Sequence, residues 1–260
     1  MQNENKHLIL SAIVALAGFL PQSNADVTLG KADSFAALGG STVTSTGDTI
    51  LNGDLGLSPG TAIAGFTFST TAGPGVVNGT NYVGGFAVAA QADLLTAYNV
   101  LASETPDQNL TGQDLGGLTL LPGVYHFDTS AQLTGILSLN AQGDSGAVFV
   151  FEIGSTLTTA SVASVLLIGS AQADNVFWQV GSSATLGTDT SFIGSILADQ
   201  SITLDTGTSM SGRALAMNGA VSLDDNSLTV PVDVPEPGSF WLLALGASVL
   251  GAWRRKAGRS

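Results

Sequence analysis

The amino-acid sequence predicts a mainly β fold, a parallel β-solenoid with one long α-helix alongside. Three observations support this class: an 18-residue repeat, a glycine-rich composition with few charges, and one segment of helical periodicity. Segments 186–194 and 204–212 align over their whole length, with Leu, both Thr, Ser and the final Gly identical. One such repeat divides into three strands of about six residues, which form one coil stacked ~4.8 Å from the next.

A weaker repeat and the composition support the same class. Residues 150–154 align with 177–181, at a longer spacing than the first pair of segments. The chain has 33 glycines but only 10% charged residues, which is too apolar for a disordered chain and too poor in helix-favouring charge for a bundle. The β-branched and aromatic runs at 147–153 and 175–180 are predicted to supply the core.

The single helix is predicted over about residues 86–103. A stripe of apolar residues recurs every three or four positions, which is typical of one buried helix face. A Gly-Gly pair precedes the segment and Pro106 follows it, and both mark its limits. We expect this helix to lie along the solenoid and to cover one sheet face. The stripe consists of Phe86, Ala90, Leu94, Ala97 and Leu101.

Residues 1–25 have the order of a secretory signal peptide. A polar start is followed by an apolar run at 8–20, and Ser23-Asn24-Ala25 gives the small-x-small pattern of a cleavage site. The sequence therefore predicts export, with a mature chain that begins at Asp26. The folded domain is predicted to span residues 26–233.

Residues 234–260 combine Val-Pro-Glu-Pro at 234–237, an apolar segment at 240–253 and four cations within the last seven residues. Clustered positive charge after an apolar span orients the span with that charge in the cytoplasm. This order resembles the PEP-CTERM sorting tail of Gram-negative bacteria, and an ordinary C-terminal anchor is the alternative. The resemblance implies transient membrane anchoring, processing by exosortase-type sorting machinery, and release or attachment at the cell surface, often beside exopolysaccharide.

The charge of the folded domain excludes several function classes. Residues 26–233 contain two cations, Lys31 and Arg213, against 18 acids, a formal charge of −16. Such a surface repels phosphate, which excludes nucleic-acid binding. The sequence has no cysteine, so it has no disulfide framework, thiolate nucleophile or cysteine metal site. No nucleotide-binding or calcium-binding motif is present, and no cofactor is predicted.

Enzymes built on parallel β-helices commonly act on polysaccharide, but the sequence lacks the residues that they need. Glycoside hydrolysis requires two facing carboxylates, whereas Asp224 and Asp225 would point to opposite faces of a strand. His126 is the domain's single histidine, a poor candidate for a metal ligand or a catalytic base. Arg213 is expected to form a salt bridge at a coil corner. The sequence therefore predicts no catalytic residue, no metal site and no enzyme.

Aligning the coils by these repeats places four triplets in register: 156–158, 183–185, 201–203 and 220–222. The middle residue of each triplet is apolar and is predicted to point inward, while its neighbours point outward. Residues 42–44 join them when Gly53 is matched to Gly212. The result is two outward columns of Thr, Ser and Ala that can hold water in a fixed array. Strand propensity also favours threonine at half-exposed positions, so an ordinary sheet face is the alternative.

Five segments together resemble the ice-binding proteins shared by bacteria, diatoms and cold-adapted fungi. They are LGxAxxFAxL at 29–38, GDLGLSPG at 53–60, NVFWQVGSSATLG at 175–187, FIGSILA at 192–198 and GRALA at 212–216. The resemblance spans about residues 28–230. It implies a discontinuous right-handed parallel β-helix of triangular section, with a long helix alongside and N-terminal strands that fold back to complete the stack.

The resemblance also implies adsorption to ice, thermal hysteresis and inhibition of ice recrystallisation, through a flat sheet of Thr-x-Thr-like triplets. The aligned triplets map onto that sheet, so the expected partner is ice or an ordered water surface. A second column near a coil corner, Thr188, Thr190, Thr206 and Thr208, is the alternative site. The alternative function is a cell-surface or biofilm-matrix solenoid, a spacer and adhesin without ice activity. The predicted ice-binding residues are Thr42, Thr44, Thr156, Thr158, Ser183, Thr185, Ser201, Thr203, Ala220 and Ser222.

Overall fold

The computed structural model of the chain describes residues 27–231. The predicted signal peptide and sorting tail lie outside the described residues. Short 3-10 helices cover Gly30–Ser34 and Ala173–Asn175, and the α-helix α1 covers Phe86–Leu101, slightly less than predicted. In chain order the strands are β1 (Phe35–Gly39), β2 (Thr42–Thr46), β3 (Ile50–Asn52), β4 (Asp54–Leu57), β5 (Ala62–Phe66), β6 (Thr71–Val77), β7 (Asn81–Val83), β8 (Gln108–Asn109), β9 (Thr119–Leu120), β10 (Gly123–Phe127), β11 (Ala131–Leu133), β12 (Ile136–Asn140), β13 (Phe149–Ile153), β14 (Leu157–Thr159), β15 (Ser164–Ile168), β16 (Val176–Val180), β17 (Ala184–Leu186), β18 (Ser191–Ala198), β19 (Ile202–Leu204), β20 (Ser209–Ala216), β21 (Val221–Asp224) and β22 (Ser227–Thr229).

These strands pair in parallel and form the three faces of a solenoid. The threonine face consists, in stacking order, of β11, β14, β17, β19, β21, β2, β5 and, after an irregular register, the first part of β6. The serine face consists of β9, β12, β15, the first parts of β18 and β20, then β22, β3 and the second part of β6. The helix-covered face consists of β8, β10, β13, β16, the second parts of β18 and β20, then β1, β4 and β7.

The register of neighbouring coils follows the repeats found in the sequence. Ser191 lies opposite Ser209, and the same spacing holds along the whole of β18 and β20. Phe149 lies opposite Val176, which reproduces the longer spacing of the weaker repeat. That spacing is longer because an extra loop, residues 169–175, is inserted between β15 and β16. Both predicted repeats are therefore confirmed.

The stack is discontinuous in sequence. β1 pairs with β20 on one side and with β4 on the other, while β2 pairs with β21 and β3 pairs with β22. The N-terminal strands thus extend the stack beyond the last C-terminal coil, and β1 supplies the helix-covered strand that this coil lacks. After β7, the helix α1 returns the chain to the other end of the stack, where β8 pairs with β10. This arrangement agrees with the one that the resemblance implied.

The helix covers one face, as predicted, but its buried stripe begins one residue later than expected. Ala87, rather than Phe86, is fully buried together with Ala90, Leu94, Ala97 and Leu101. Phe86 stands at the start of the helix and is 39% exposed; its ring stacks on Phe35 and lies tilted against Tyr82. Within residues 27–231, no helix is long and apolar enough to cross a membrane.

Side chains beneath the helix and inside the solenoid form two separate apolar clusters. Along β13, Val150 faces the helix, whereas Phe149, Phe151 and Ile153 face the interior. Inside, Trp178 stacks on Phe151 at 3.9 Å between ring centroids and donates its indole N–H to the Ile193 carbonyl at 3.0 Å. The predicted core runs are therefore buried, and both faces of each run are used.

The corner between the threonine and serine faces has a left-handed residue in successive coils. Asp189, Gly207, Asp225 and Gly47 occupy this position with φ values of 56°, 76°, 51° and 67°. Aspartate and glycine tolerate this conformation, in agreement with the predicted Gly and Asp turns. Val162 occupies the same corner in its coil with a φ of 61°, although its β-branched side chain is 73% exposed and gains little from burial.

We expect Val162→Gly to stabilise the fold. The left-handed conformation costs a β-branched residue more than the added unfolded-state entropy of glycine, so the free energy of unfolding should rise by about 1 kcal/mol. Thermal unfolding should show a melting temperature about 2–4 °C higher. Asp189→Gly, at the same corner of the next coil, is the control and should change little. A lower melting temperature for Val162→Gly would contradict this account of the corner.

Candidate functional site

The threonine face presents one outward column across its seven regularly paired strands, β11 to β5, here called the outer column. Thr158, Thr185 and Thr203 occupy equivalent positions on neighbouring strands. Ser222 and Thr44 continue the column on the next two strands. The apolar residue that precedes each of them is buried, so the predicted register and inward-outward alternation of the triplets are confirmed. At ~4.8 Å per strand the column extends ~29 Å from first to last strand.

The hydroxyl groups of the outer column are free to bind solvent. Within residues 27–231, the five hydroxyl side chains of this column make no hydrogen bond to the protein. All five are at least partly exposed. The five residues are Thr44, Thr158, Thr185, Thr203 and Ser222. Branching at Cβ restricts the rotamers of the four threonines, and the strands fix the backbone, so the threonine hydroxyls are held in place without an internal partner.

The flanking column, one residue before each strand or at its start, has a partly structural role. The Ser201 N–H donates to the Ser183 hydroxyl at 3.2 Å, and the Ala220 N–H donates to the Ser201 hydroxyl at 3.1 Å. The hydroxyls of Ser130 and Thr156 lie 2.8 Å apart. These side chains join successive coils at the corner, so fewer of their hydrogen-bonding groups remain for solvent. Thr42 completes the predicted set at the far end of this column, in register with Ala62.

The face extends beyond the residues predicted from the sequence. Gln132 lies opposite Thr158, and Ala64 lies opposite Thr44, so both belong to the outer column. Each follows an inward apolar residue, which is the triplet pattern, but neither has a hydroxyl group. A search for the alternation alone would have found them. Neither column contains a charged residue in this part of the chain.

An open groove of about 340 Å³ runs along the edge of the face, toward the serine face. Besides outer-column residues, Thr46, Thr206 and Asp224 line it. The Thr206 hydroxyl donates to one Asp224 carboxylate oxygen, and the Thr46 hydroxyl donates to the other at 2.7 Å. These hydrogen bonds lower the pKa of Asp224 below its usual range. The Asp224 carboxylate therefore lies beside the outer column, and both of its oxygens already accept hydrogen bonds from hydroxyl groups.

The alternative column proposed from the sequence is wrong as an outward surface. Thr190 and Thr208 are fully buried. The Thr190 and Thr159 hydroxyls lie 2.9 Å apart, and the Thr208 hydroxyl donates to the Gly187 carbonyl at 3.0 Å. These side chains satisfy backbone groups inside the corner, and of the four predicted residues only Thr188 and Thr206 reach the surface.

His126 lies on the helix-covered face between two carboxylates. Its Nδ1 is 3.0 Å from Glu152 Oε2, and its Nε2 is 3.1 Å from Asp128 Oδ1. Burial raises the pKa of Glu152, whereas hydrogen bonds from Asn109 and Thr111 lower the pKa of Asp128. Since both ring nitrogens face carboxylates, neither is directed at a hydroxyl nucleophile. The described residues contain no group of three or more His, Asp or Glu that could hold a metal ion.

Arg213 forms the predicted salt bridge, and it is buried. Its guanidinium is 1% exposed and lies 2.7 Å from an Asp33 carboxylate oxygen and 2.6 Å from an Asp174 carboxylate oxygen. It also donates to the Asp33 carbonyl at 2.6 Å and to the Ser195 hydroxyl at 3.2 Å. The arginine therefore ties the N-terminal segment to the solenoid.

Family comparison identifies the chain. The model of a family described as ice-binding-like matches residues 37–229, most of the described solenoid. The chain belongs to this ice-binding-like family. A second model, the PEP-CTERM protein-sorting motif, matches residues 233–256 and so agrees with the predicted tail. This motif indicates an exported protein that is sorted to the cell surface or secreted.

Similar proteins agree with the family assignment. A protein of Nostoc sp. (strain HG1) named ice-binding protein is 50% identical over 266 residues, covering 96% of each chain. The crystal structure of an ice-binding protein from an Antarctic biological consortium has a TM-score of 0.75 and 47% identity, covering 79% of this chain and 91% of that one. An ice-binding protein from an Arctic yeast, whose structure was described as the basis of its antifreeze activity, has a TM-score of 0.74 and 33% identity, covering 84% and 99%. These structures confirm the predicted fold class.

Proposed function

We propose that this chain binds ice through the threonine face, and that adsorption produces thermal hysteresis and inhibits ice recrystallisation. The observation that carries the proposal is the outer column, in which five hydroxyl side chains have no partner within the described residues. They lie in register on consecutive strands of a chain that belongs to the ice-binding-like family.

The physical argument rests on preorganisation. Water bound between neighbouring hydroxyls and methyl groups is held at positions set by the strand ladder, which repeats every ~4.8 Å across strands. Because the side chains are already fixed, little conformational entropy is lost when such water joins an ice lattice. The absence of charge in the two columns supports this, since a charged side chain would order water around itself instead.

The alternative of a spacer or adhesin without ice activity is not favoured by the family match. Nor do we propose an enzymatic role, because His126 is held between Glu152 and Asp128 and Arg213 is held by two aspartates. We also propose that the chain is exported, that an exosortase-type enzyme processes its tail, and that it is attached at the envelope of a Gram-negative cell. The matched sorting motif supports this proposal.

Thr203→Tyr is expected to reduce thermal hysteresis several-fold. Thr203 is on the fourth of the seven strands, so a tyrosine ring there would stand above the face and keep ice from its neighbours on both sides. Thr203 is partly exposed, and surface changes of this kind normally alter stability by only about 0.5 kcal/mol. Hysteresis in a nanolitre osmometer and thermal unfolding should be measured on the same protein. Thr185→Tyr, one strand away, should behave in the same way.

Thr229→Tyr on the serine face is the matched control. Thr229 is exposed, accepts a hydrogen bond from the Asn52 amide at 3.0 Å, and lies on β22, which is also a three-residue strand within the stack. This variant should keep hysteresis close to that of the unmodified chain. Loss of activity in Thr229→Tyr together with full activity in Thr203→Tyr would show that our proposal assigns ice binding to the wrong face.

Hysteresis should also be constant between about pH 5 and pH 9. The two columns contain no titratable side chain among the described residues, and the pKa of neighbouring Asp224 is lowered. A lowered carboxyl pKa stabilises the fold above the unfolded value of about 3.9 and loses this effect only as pH falls further. Asp224 therefore stays ionised throughout this range. A several-fold change of hysteresis within it, with unchanged melting temperature, would show that a titrating group takes part.

A further inference from the structure

The described chain leaves the solenoid at the edge opposite the threonine face. Val230 follows β22 and donates its N–H to the Asn52 carbonyl at 3.1 Å. Thr229 lies opposite Ser211 in the next coil, so Val230 corresponds to Gly212. At Gly212 the chain passes from the serine face to the helix-covered face. In a coil with three faces, the edge between these two is the one farthest from the threonine face.

The other end of the described chain also avoids the threonine face. Val27 packs against the apolar cluster beneath the helix, next to Leu29 and Ala32. Both ends therefore lie on the helix side of the molecule, and the outer column is unobstructed by either.

The tether that follows is short. The sorting motif matches residues 233–256, and its Val-Pro-Glu-Pro sequence ends at position 237. Residues 232–237 can span only ~20 Å even when fully extended. One face of a coil is about six residues, or ~20 Å, wide. A tether of this length is only as long as one neighbouring face is wide. It is therefore too short for the threonine face to turn toward the envelope to which the tail is attached.

The charge of the body favours separation from the envelope. Lys31 lies 4.0 Å from Asp93, and Arg213 is paired with Asp33 and Asp174, so both cations of the described chain already have acidic partners. The net charge of −16 over residues 26–233 is repelled by an envelope that carries anionic lipids. Repulsion keeps the body at a distance from the envelope, while the point of attachment determines which side faces inward.

We propose a second function that rests on the first: while attached by its C-terminal tail, the chain points the threonine face outward and holds the cell to ice. The attached form is then an ice adhesin, and the partner of the exposed face is the surface of an ice crystal. Adsorption needs no release from the envelope, because the described chain leaves the solenoid at the edge opposite the threonine face. Many attached copies would act together, so weak adsorption of each copy suffices to hold a cell.

Coupling the chain to beads in two orientations tests this proposal. The sequence has no cysteine, so single variants can be biotinylated at one site each. The full chain carrying Pro237→Cys is coupled to streptavidin beads through the tether, and the full chain carrying Thr203→Cys is coupled through the threonine face. Beads at equal coating are then passed over an ice surface, and the retained fraction is counted. Hysteresis of the unmodified chain and of each variant before biotinylation is measured in solution.

We expect the beads coupled through position 237 to be retained and those coupled through position 203 to be retained at least roughly tenfold less. Failure of the tether-coupled beads, while the same variant is active in solution, would overturn the orientation and leave the ice-binding proposal intact. Equal retention of both bead types would also overturn it, since attachment geometry would then be irrelevant. Absence of hysteresis from the unmodified chain would remove the proposed function and the adhesin with it.

Discussion

The whole molecule depends on in-register parallel stacking of the coils. The backbone N–H and C=O groups of each strand find their partners on the strands above and below, so a shift of one residue would turn every side chain to the other side of its sheet. The same register that buries Ile202 beside Ala184 and Val221 aligns Thr203 with Thr185 and Ser222. The register of the stacked strands therefore determines both which residues form the core and which residues form the outer column.

Parallel sheets are usually covered on both sides, and here the three faces meet that demand differently. The interior cluster covers one side of every face, while α1 covers the outside of one of them. The threonine and serine faces remain open to solvent. Small hydroxyl and methyl groups suit an open face because they tolerate water and the strand conformation equally. Larger side chains such as Phe177 and Leu197 point outward on the face that α1 covers. The serine face, in contrast, leaves Ile50, Ile136 and Leu166 exposed.

Threonine has opposite roles within one coil. Thr185 points outward without a protein partner, whereas Thr190, further along the same coil, is buried and hydrogen-bonded to Thr159. The left-handed residue Asp189 lies between them and interrupts the alternation of the strand. Composition alone therefore says little about which threonines meet ice, and the position of the corner decides it.

Much of the fold could be predicted from the sequence, because identical short repeats report the register directly. The strands, the helix, the buried runs and the alignment of the later triplets all follow from periodicity. Insertion of β1 beside β20 could not be obtained this way, since it joins segments from opposite ends of the folded domain and was implied only by family resemblance. The corner threonines were misplaced because two-residue alternation was carried through a turn. Gln132 and Ala64 have no hydroxyl group, so a Thr/Ser pattern does not reveal them, although the buried apolar residue before each does.

Direct observation of bound protein on ice is the measurement that tests the central claim, that the outer column is the adsorbing surface. A single fluorophore can be attached through Thr203→Cys or through Thr229→Cys, and its incorporation into a slowly grown ice hemisphere compared. Our account predicts that the chain labelled at position 229 enters the ice as a uniformly stained layer, while the chain labelled at position 203 is excluded. Equal incorporation of both labelled chains, or exclusion only of the chain labelled at position 229, would contradict it.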